Sequence, residues 1–277
     1  MGGRRVLRLN GADLCLQEFG ESGDPAILLI AGAASSMDWW DTALCERLAA
    51  GGRRVVRYDL RDTGQSATYP PGEPDYTIDD LVLDVAALVE ALHLVPVHLA
   101  GISMGGGLAQ QLAIRSPELL ASLTLFSTSP GEGPDLPGMS PGLSFPASPD
   151  WGSEESVAQN FVDVERALSG SIPVDEARIR AIAHETIGRS ASLASAENHY
   201  AVLGGPGGEP RERLAEITAP TLVIHGTEDP LLPIVHGEAI AREIPGARLL
   251  RIEGMGHQNP PPPTWDQIVP AVLEHTA

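Results

Sequence analysis

The chain of 277 residues contains no lysine; all 18 of its basic side chains are arginine. That removes Schiff-base chemistry, the lysine of a phosphate-binding loop and any lysine general base. Positive charge is scarce as well: 37 acidic residues against 18 basic ones leave a net charge of −19. A nucleic acid duplex would be repelled rather than gathered, so nucleic acid is excluded as a partner. Only two cysteines occur, Cys15 in a strand-like stretch and Cys45 in a helix-like one. They read as buried thiols, not as a disulfide or a metal pair, and no other metal-ligating constellation is visible. No apolar run approaches the roughly 20 residues that span a membrane. The first residues, MGGRRVLRLNGADLCL, lack a signal-type apolar core, and Val6 breaks the myristoylation pattern that Gly2 would otherwise open. The expectation is a cytoplasmic protein with no membrane association, a monomer or homodimer.

With 43% hydrophobic residues and a mean hydropathy of −0.01, the composition is that of a globular chain. At this length one large domain, or a domain with an insertion, buries about three quarters of its unfolded surface. Strand and helix patterns alternate, which predicts a mostly parallel sheet covered on both faces. RRVLRLN and ADLCLQEFG read as an opening hairpin around Gly11, and AILLIAG as a strand buried on both sides. A helix is expected over Asp38 to Ala50, stopped by Gly51-Gly52, followed by the strand RRVVRYDL. Apolar residues at Ile78, Leu81, Val82, Val85, Leu88, Val89 and Leu92 mark a helix between Thr77 and His93. VPVHLAG is a strand, Met104 to Arg115 a helix ended by Pro117, and LASLTLFS a further strand.

The alternation then lapses for roughly 90 residues, far more than a simple crossover needs. A Pro/Gly-rich stretch from Ser129 to Gly152 comes first, and three helical patterns follow. Val157, Phe161, Val164 and Leu168 form one stripe; Ile179, Ile182, Ala183 and Ile187 a second; Leu193, Ala196, Tyr200 and Leu203 a third. We read an inserted helical lid over 128–212, with 1–127 and 213–277 forming the core. APTLVIHG and ARLLRIEG are the last strands, with helices over Val235 to Ile244 and Thr264 to His275, and Thr264 with Gln267 fits a capping box.

Chemistry gathers at three strand ends. Gly-Ile-Ser-Met-Gly, residues 101–105, joins a strand to a helix, the context that makes a G-x-S-x-G pattern meaningful. Small residues at both −2 and +2 let helix and strand approach while the turn pushes the Ser103 hydroxyl out at the carboxyl edge of the sheet. The rival, a dinucleotide-binding loop, fits poorly: the G-x-G opening is absent, and no acidic residue ends a following strand at the required spacing. A serine hydroxyl needs a base. Of the eight histidines, His93, His98 and His275 lie in element bodies or at the terminus, and His225 fits a hydrogen-bonding loop role. His184 and His199 fall in the lid, where His199 is a candidate substrate contact. His257, in the glycine-rich loop after the last strand, emerges at the same edge as Ser103. Asp229 in HGTEDPLLP supplies the carboxylate that would orient the imidazole, with Glu228 as its near competitor. Arg61 and Asp62 in LRDTG read as a loop network rather than a substrate contact.

The order of elements, the serine turn, the acid and the histidine together resemble the α/β-hydrolase family, across the whole chain. The resemblance implies an α/β fold built on a mostly parallel eight-stranded sheet with helices on both faces. It also implies catalysis by Ser103, Asp229 and His257 without cofactor or metal. Some members carry the acid after the sixth strand, but LTLFSTSP offers none there. The resemblance further implies two oxyanion donors: the backbone N–H of Met104, and one from the loop after AILLIAG, where the family often has His-Gly-X. Here Ala31 replaces that histidine, so Gly32 and Ala33 follow; Ala33 is the expected donor, and the choice between Ala33 and Ala34 stays open.

Within the family, RYDLRDTGQS, GISMGGG, TLVIHGTEDPLLP and IEGMGH are similar to the aclacinomycin methylesterase group, which removes a methyl ester from anthracycline polyketides. The lid matches that group poorly. The expectation is a hydrolase of fairly apolar small esters; a lactonase or cofactor-free perhydrolase on the same triad is the alternative. A non-catalytic ligand-binding protein on this fold is the reading from another class. Gly32, Trp39 (or its neighbour Trp40), Trp151, Phe161 and Tyr200 are the candidate substrate contacts, although each aromatic also suits lid packing.

Overall fold

The computed structural model describes residues 2–209 and 211–277. Strands β1 (Arg5–Leu9) and β2 (Ala12–Phe19) form a hairpin whose two turn residues, Asn10 and Gly11, have φ of 45° and 74°. Those left-handed angles suit Asn-Gly and match the twist of paired strands. β3 (Ala26–Ile30), β4 (Arg54–Tyr58), β5 (Val97–Ile102), β6 (Leu120–Phe126), β7 (Thr221–Gly226) and β8 (Arg248–Ile252) complete an eight-stranded sheet in the order β1-β2-β4-β3-β5-β6-β7-β8. β2 is antiparallel to both neighbours, and β3 to β8 are mutually parallel.

Two apolar layers flank this sheet. Ala26, Leu28 and Ile30 of β3 face the layer formed by α2 (Ile78–Ala91), α3 (Met104–Arg115) and α7 (Val235–Glu243). Ile27 and Leu29 face α1 (Thr42–Ala50) and α8 (Trp265–His275). A strand covered on both sides has no polar face, which is why AILLI is apolar throughout. Each such leucine or isoleucine contributes about 1.5–3 kcal/mol on burial.

Several helix boundaries differ from the sequence expectation, each for a local reason. The stretch from Asp38 divides into a 3₁₀ turn, Met37–Trp39, and α1, because the Asp41 carboxylate caps the Ala43 N–H (2.8 Å) and starts a new helix. The capping box lies at α2, where Thr77 and Asp80 exchange bonds. At α8 the Thr264 hydroxyl instead donates to the Pro261 carbonyl (2.8 Å), so no box forms. Between β6 and β7 lie α4 (Glu154–Leu168), α5 (Glu176–Arg189) and α6 (Asn198–Leu203). α6 is only the second half of the third stripe; its first half, Ala194–Glu197, winds as a 3₁₀ turn.

This inserted segment is fastened to the core by buried charge. Arg189 at the end of α5 reaches Asp38 Oδ2 and Asp59 Oδ1, both at 2.7 Å, and all three side chains are almost fully buried. Arg178 adds a bond to Asp41 (2.8 Å). No helix among the described residues is long and apolar enough to cross a membrane.

Candidate active site

Ser103 sits between β5 and α3 with φ 52° and ψ −120°, a conformation that costs a non-glycine residue about 1–3 kcal/mol. Three bonds hold it there: its N–H donates to the Phe126 carbonyl (3.0 Å), and its own carbonyl accepts from Gly107 N–H (3.1 Å) and the Thr128 hydroxyl (2.7 Å). The flanking glycines are required by close backbone approach. A Cβ on Gly101 would lie 2.2 Å from the Gly105 carbonyl oxygen, and one on Gly105 2.5 Å from the carbonyl oxygens of Ile30 and Ala31. The half-buried Ser103 hydroxyl therefore emerges at the carboxyl edge of the central strands.

Because β7 and β8 run parallel to β5, the loops that follow them open on the same edge. His257 places Nε2 3.0 Å from Ser103 Oγ, and its Nδ1 lies 2.9 Å from Asp229 Oδ2. Asp229 Oδ1 accepts the Leu231 and Leu232 N–H groups at 3.0 and 2.8 Å, so the carboxylate is fixed before it meets the ring. Burial alone would raise the Asp229 carboxyl. The positive charge available at His257 and hydrogen bonding from His225 and His257 outweigh it and hold the group well below the usual carboxylate range. His225 Nε2 donates to the Leu232 carbonyl (2.7 Å) and stands 3.4 Å from the same carboxylate. Glu228, the neighbouring acid, turns away: its two oxygens accept the backbone N–H (2.6 Å) and hydroxyl (3.1 Å) of Ser171.

The insert reaches this edge through the turn after α4. The His257 N–H donates to the Leu168 carbonyl (2.8 Å), and Ile172 N–H to the Gly254 carbonyl (3.2 Å). Glu165, buried beside them, accepts from the Gln258 side chain at 3.1 Å. Burial raises its carboxyl, against the lowering effects of Gln258, Arg178 and His257. Sequence reasoning passed over Glu165, although its spacing four residues after Phe161 puts it on the inward stripe of α4.

The loop after β3 borders Ser103, since a Cβ on Gly32 would stand 3.5 Å from Ser103 Cβ. The Ala34 N–H donates to His199 Nδ1 (3.0 Å), so it is already engaged within the protein. Met104 opens α3, where the first N–H groups of a helix have no partner within it and the helix dipole favours negative charge. Trp39 and Phe161 meet with ring centroids 5.6 Å apart, and the Trp39 carbonyl accepts from Asn259, two residues after His257 (2.9 Å). Trp40 instead packs edge-on against Phe126 within the core. Trp151 and Tyr200 share no hydrogen bond or ring contact with these groups among the described residues, and Tyr200 is 59% exposed. His199 corrects the sequence expectation: it is 0% exposed and bound on both ring nitrogens to backbone, which leaves it no accessible surface to offer a substrate. Arg61 and Asp62 form the expected loop network, Arg61 paired with Asp84 (2.7 and 2.8 Å) and Asp62 accepting from Tyr76 (2.7 Å).

A serine on a strained strand-to-helix turn, followed along the chain by a carboxylate and then a histidine, and a mostly parallel sheet define the alpha/beta hydrolase class. The family model of the alpha/beta hydrolase fold matches residues 25–260, and the chain belongs to that family. It is 31% identical to the rhodomycin D methylesterase DauP of Streptomyces sp. (strain C5), covering 98% of this chain and 97% of that protein. It is 29% identical, over the same shares, to the rhodomycin D methylesterase DnrP of Streptomyces peucetius. Among solved structures, the enol-lactonase from Burkholderia xenovorans LB400 superposes with a TM-score of 0.72 at 25% identity, covering 98% of this chain and 99% of that one.

Proposed function

We propose that this protein is a serine carboxylic ester hydrolase acting on fairly apolar small esters, with a polyketide methyl ester as the best candidate substrate. The observation that carries the reading is the unbroken chain of bonds from Ser103 Oγ through His257 to Asp229. Likeness to two methylesterases over nearly the whole chain supports the ester class. The cytoplasm is the proposed setting, a compartment in which two buried free thiols, Cys15 and Cys45, persist.

In this mechanism Ser103 Oγ attacks the ester carbonyl carbon as its proton passes to His257 Nε2. The Asp229 carboxylate keeps the other ring proton on Nδ1 and stabilises the imidazolium that forms. The carbonyl oxygen becomes an oxyanion held by the N–H groups of Ala33 and Met104; Ala33 is preferred because the Ala34 N–H already serves His199. Collapse of the tetrahedral adduct breaks the C–O bond, and the departing alcohol (methanol for a methyl ester) takes the proton from His257. Water then attacks the acyl-serine with His257 as base, and the acid leaves. Segment 128–212 acts as the cap, and Trp39, Phe161 and Gly32 border the acyl chain, with Trp151 and Tyr200 further out. Similarity to an enol-lactonase favours one second reading, lactone opening by the same steps with the alcohol still tethered.

Ser103→Ala is expected to lower hydrolysis of p-nitrophenyl esters by about 10⁴-fold or more and to abolish labelling by a fluorophosphonate. Retention of either would overturn the proposal. A series of p-nitrophenyl esters of rising chain length, one polyketide methyl ester and one lactone separates the two readings.

A further inference from the structure

The part of the insert around α6 is bolted to the loop between β4 and α2. Ser195 donates to the Tyr69 carbonyl (2.7 Å), and Asn198 Nδ2 to Asp62 Oδ2 (2.9 Å) and the Pro70 carbonyl (3.1 Å). Asn198 Oδ1 accepts the Gly72 N–H at 2.6 Å. From this base the fully buried His199 bridges two core loops. Its Nε2 is 2.7 Å from the Arg61 carbonyl oxygen and its Nδ1 3.0 Å from the Ala34 nitrogen. A carbonyl can only accept and an amide N–H can only donate, so both partners demand one neutral tautomer, with the proton on Nε2. Burial favours the same neutral state by holding this imidazole below its ordinary range.

The bonded N–H belongs to the peptide that follows Ala33. Ala34 itself has φ 55°, a left-handed angle that an alanine holds only when its surroundings enforce it. The other bonds of this turn, Ser35 N–H to the Gly32 carbonyl (3.3 Å) and the Ser35 hydroxyl to the Ala33 carbonyl (3.2 Å), are internal to it. They fix its curl but not its position against Ser103. His199 supplies an external tether to the same turn, at Ala34.

We infer that His199 is a positioning residue for the oxyanion site: by accepting the Ala34 N–H it sets the Ala33–Ala34 peptide, and thereby keeps the Ala33 N–H aimed at the adduct on Ser103. The inference rests on the proposed hydrolase reading and adds a role for the insert in the chemical step itself. His199 remains out of contact with substrate. Its effect belongs to the transition state, because the oxyanion is far more demanding of donor placement than the ester carbonyl is.

Two near-isosteric substitutions separate the ring nitrogens. Asparagine places its carbonyl oxygen near the Nδ1 position and keeps the acceptor for Ala34. Glutamine places its amide group near Nε2 and keeps the donor for Arg61, with no acceptor at Nδ1. With p-nitrophenyl butyrate, His199→Asn should keep kcat within about threefold of the parent. His199→Gln and His199→Ala should lose kcat by about tenfold to a hundredfold with KM changed by less than about threefold. A trifluoromethyl ketone, whose adduct on Ser103 carries the same oxyanion, should lose affinity by the factor lost in kcat/KM. Equal behaviour of the Asn and Gln variants, a loss confined to KM, or unchanged ketone affinity in His199→Gln would overturn the inference while leaving the hydrolase reading intact. A parent protein that neither cleaves esters nor takes the fluorophosphonate would overturn the hydrolase reading, and this inference with it. Should His199→Ala fail to fold, the Asn and Gln pair decides.

Discussion

Replacing Asp229 by asparagine changes one oxygen to an amide group and, in this site, reverses the direction of the hydrogen bond between His257 and Ser103. Asp229 Oδ1 is pinned by two backbone donors, Leu231 and Leu232 N–H, at 3.0 and 2.8 Å. An asparagine that turned its NH₂ toward them would leave buried donors facing a donor, at about 1–3 kcal/mol for each unsatisfied group. The amide oxygen therefore stays with Leu231 and Leu232, and the NH₂ faces His257 Nδ1, 2.9 Å from the present Oδ2. Nδ1 must then accept, the ring proton moves to Nε2, and Nε2 can only donate to Ser103 Oγ. The base is lost although its position is not. The expected result is a fall in kcat of about 10⁴, equivalent to about 5.4 kcal/mol of transition-state stabilisation, with KM nearly unchanged. Steady-state hydrolysis of a p-nitrophenyl ester measures this directly. The same substitution has a pH signature in stability. The Asp229 carboxyl is depressed in the folded state, so its contribution is fully present above the unfolded value of about 3.9 and is lost as pH falls through the lower folded value. Urea midpoints of parent and variant should therefore draw together below about pH 4. A variant within about tenfold of the parent at pH 7 would refute the triad geometry, as would a parental advantage that grows on acidification.

Two further substitutions probe the scaffold. Arg189→Met would strand the buried carboxylates of Asp38 and Asp59, and a loss of about 3–5 kcal/mol in urea unfolding is expected; a change below about 1 kcal/mol would show that the clamp between insert and core contributes little. Gly105→Ala must push a Cβ against two carbonyl oxygens at 2.5 Å, so both thermal midpoint and kcat should fall, whereas a Cβ on Gly107, two residues further along α3, meets nothing within 4 Å. Gly107→Ala should raise stability by up to about 1 kcal/mol through helix propensity, and equal effects at the two positions would contradict the close-packed turn.

The elements and the meeting of Ser103, Asp229 and His257 were legible in the sequence for a common reason. Apolar periods of two and 3.6 residues are local, and so are the turn signals Asn10-Gly11 and Gly101 to Gly105. A run of parallel strands also obliges the loops after β5, β7 and β8 to open on one edge, so Ser103, Asp229 and His257 could be brought to the same rim before any distance was known. What the tertiary structure alone decided was direction and partner. Asp229 faces His257 while its neighbour Glu228 faces Ser171, and the Ala34 N–H is spent on His199, which leaves Ala33 as the candidate donor. His199 looked like a substrate contact by its place in the insert and proved to be sealed between two backbone groups. Arg189 and Asp38 stand 151 residues apart, and no spacing in the chain announces their pairing. Periodicity records which face of an element is apolar; the partner of a buried polar atom is set only when distant segments close around it and every donor must find an acceptor.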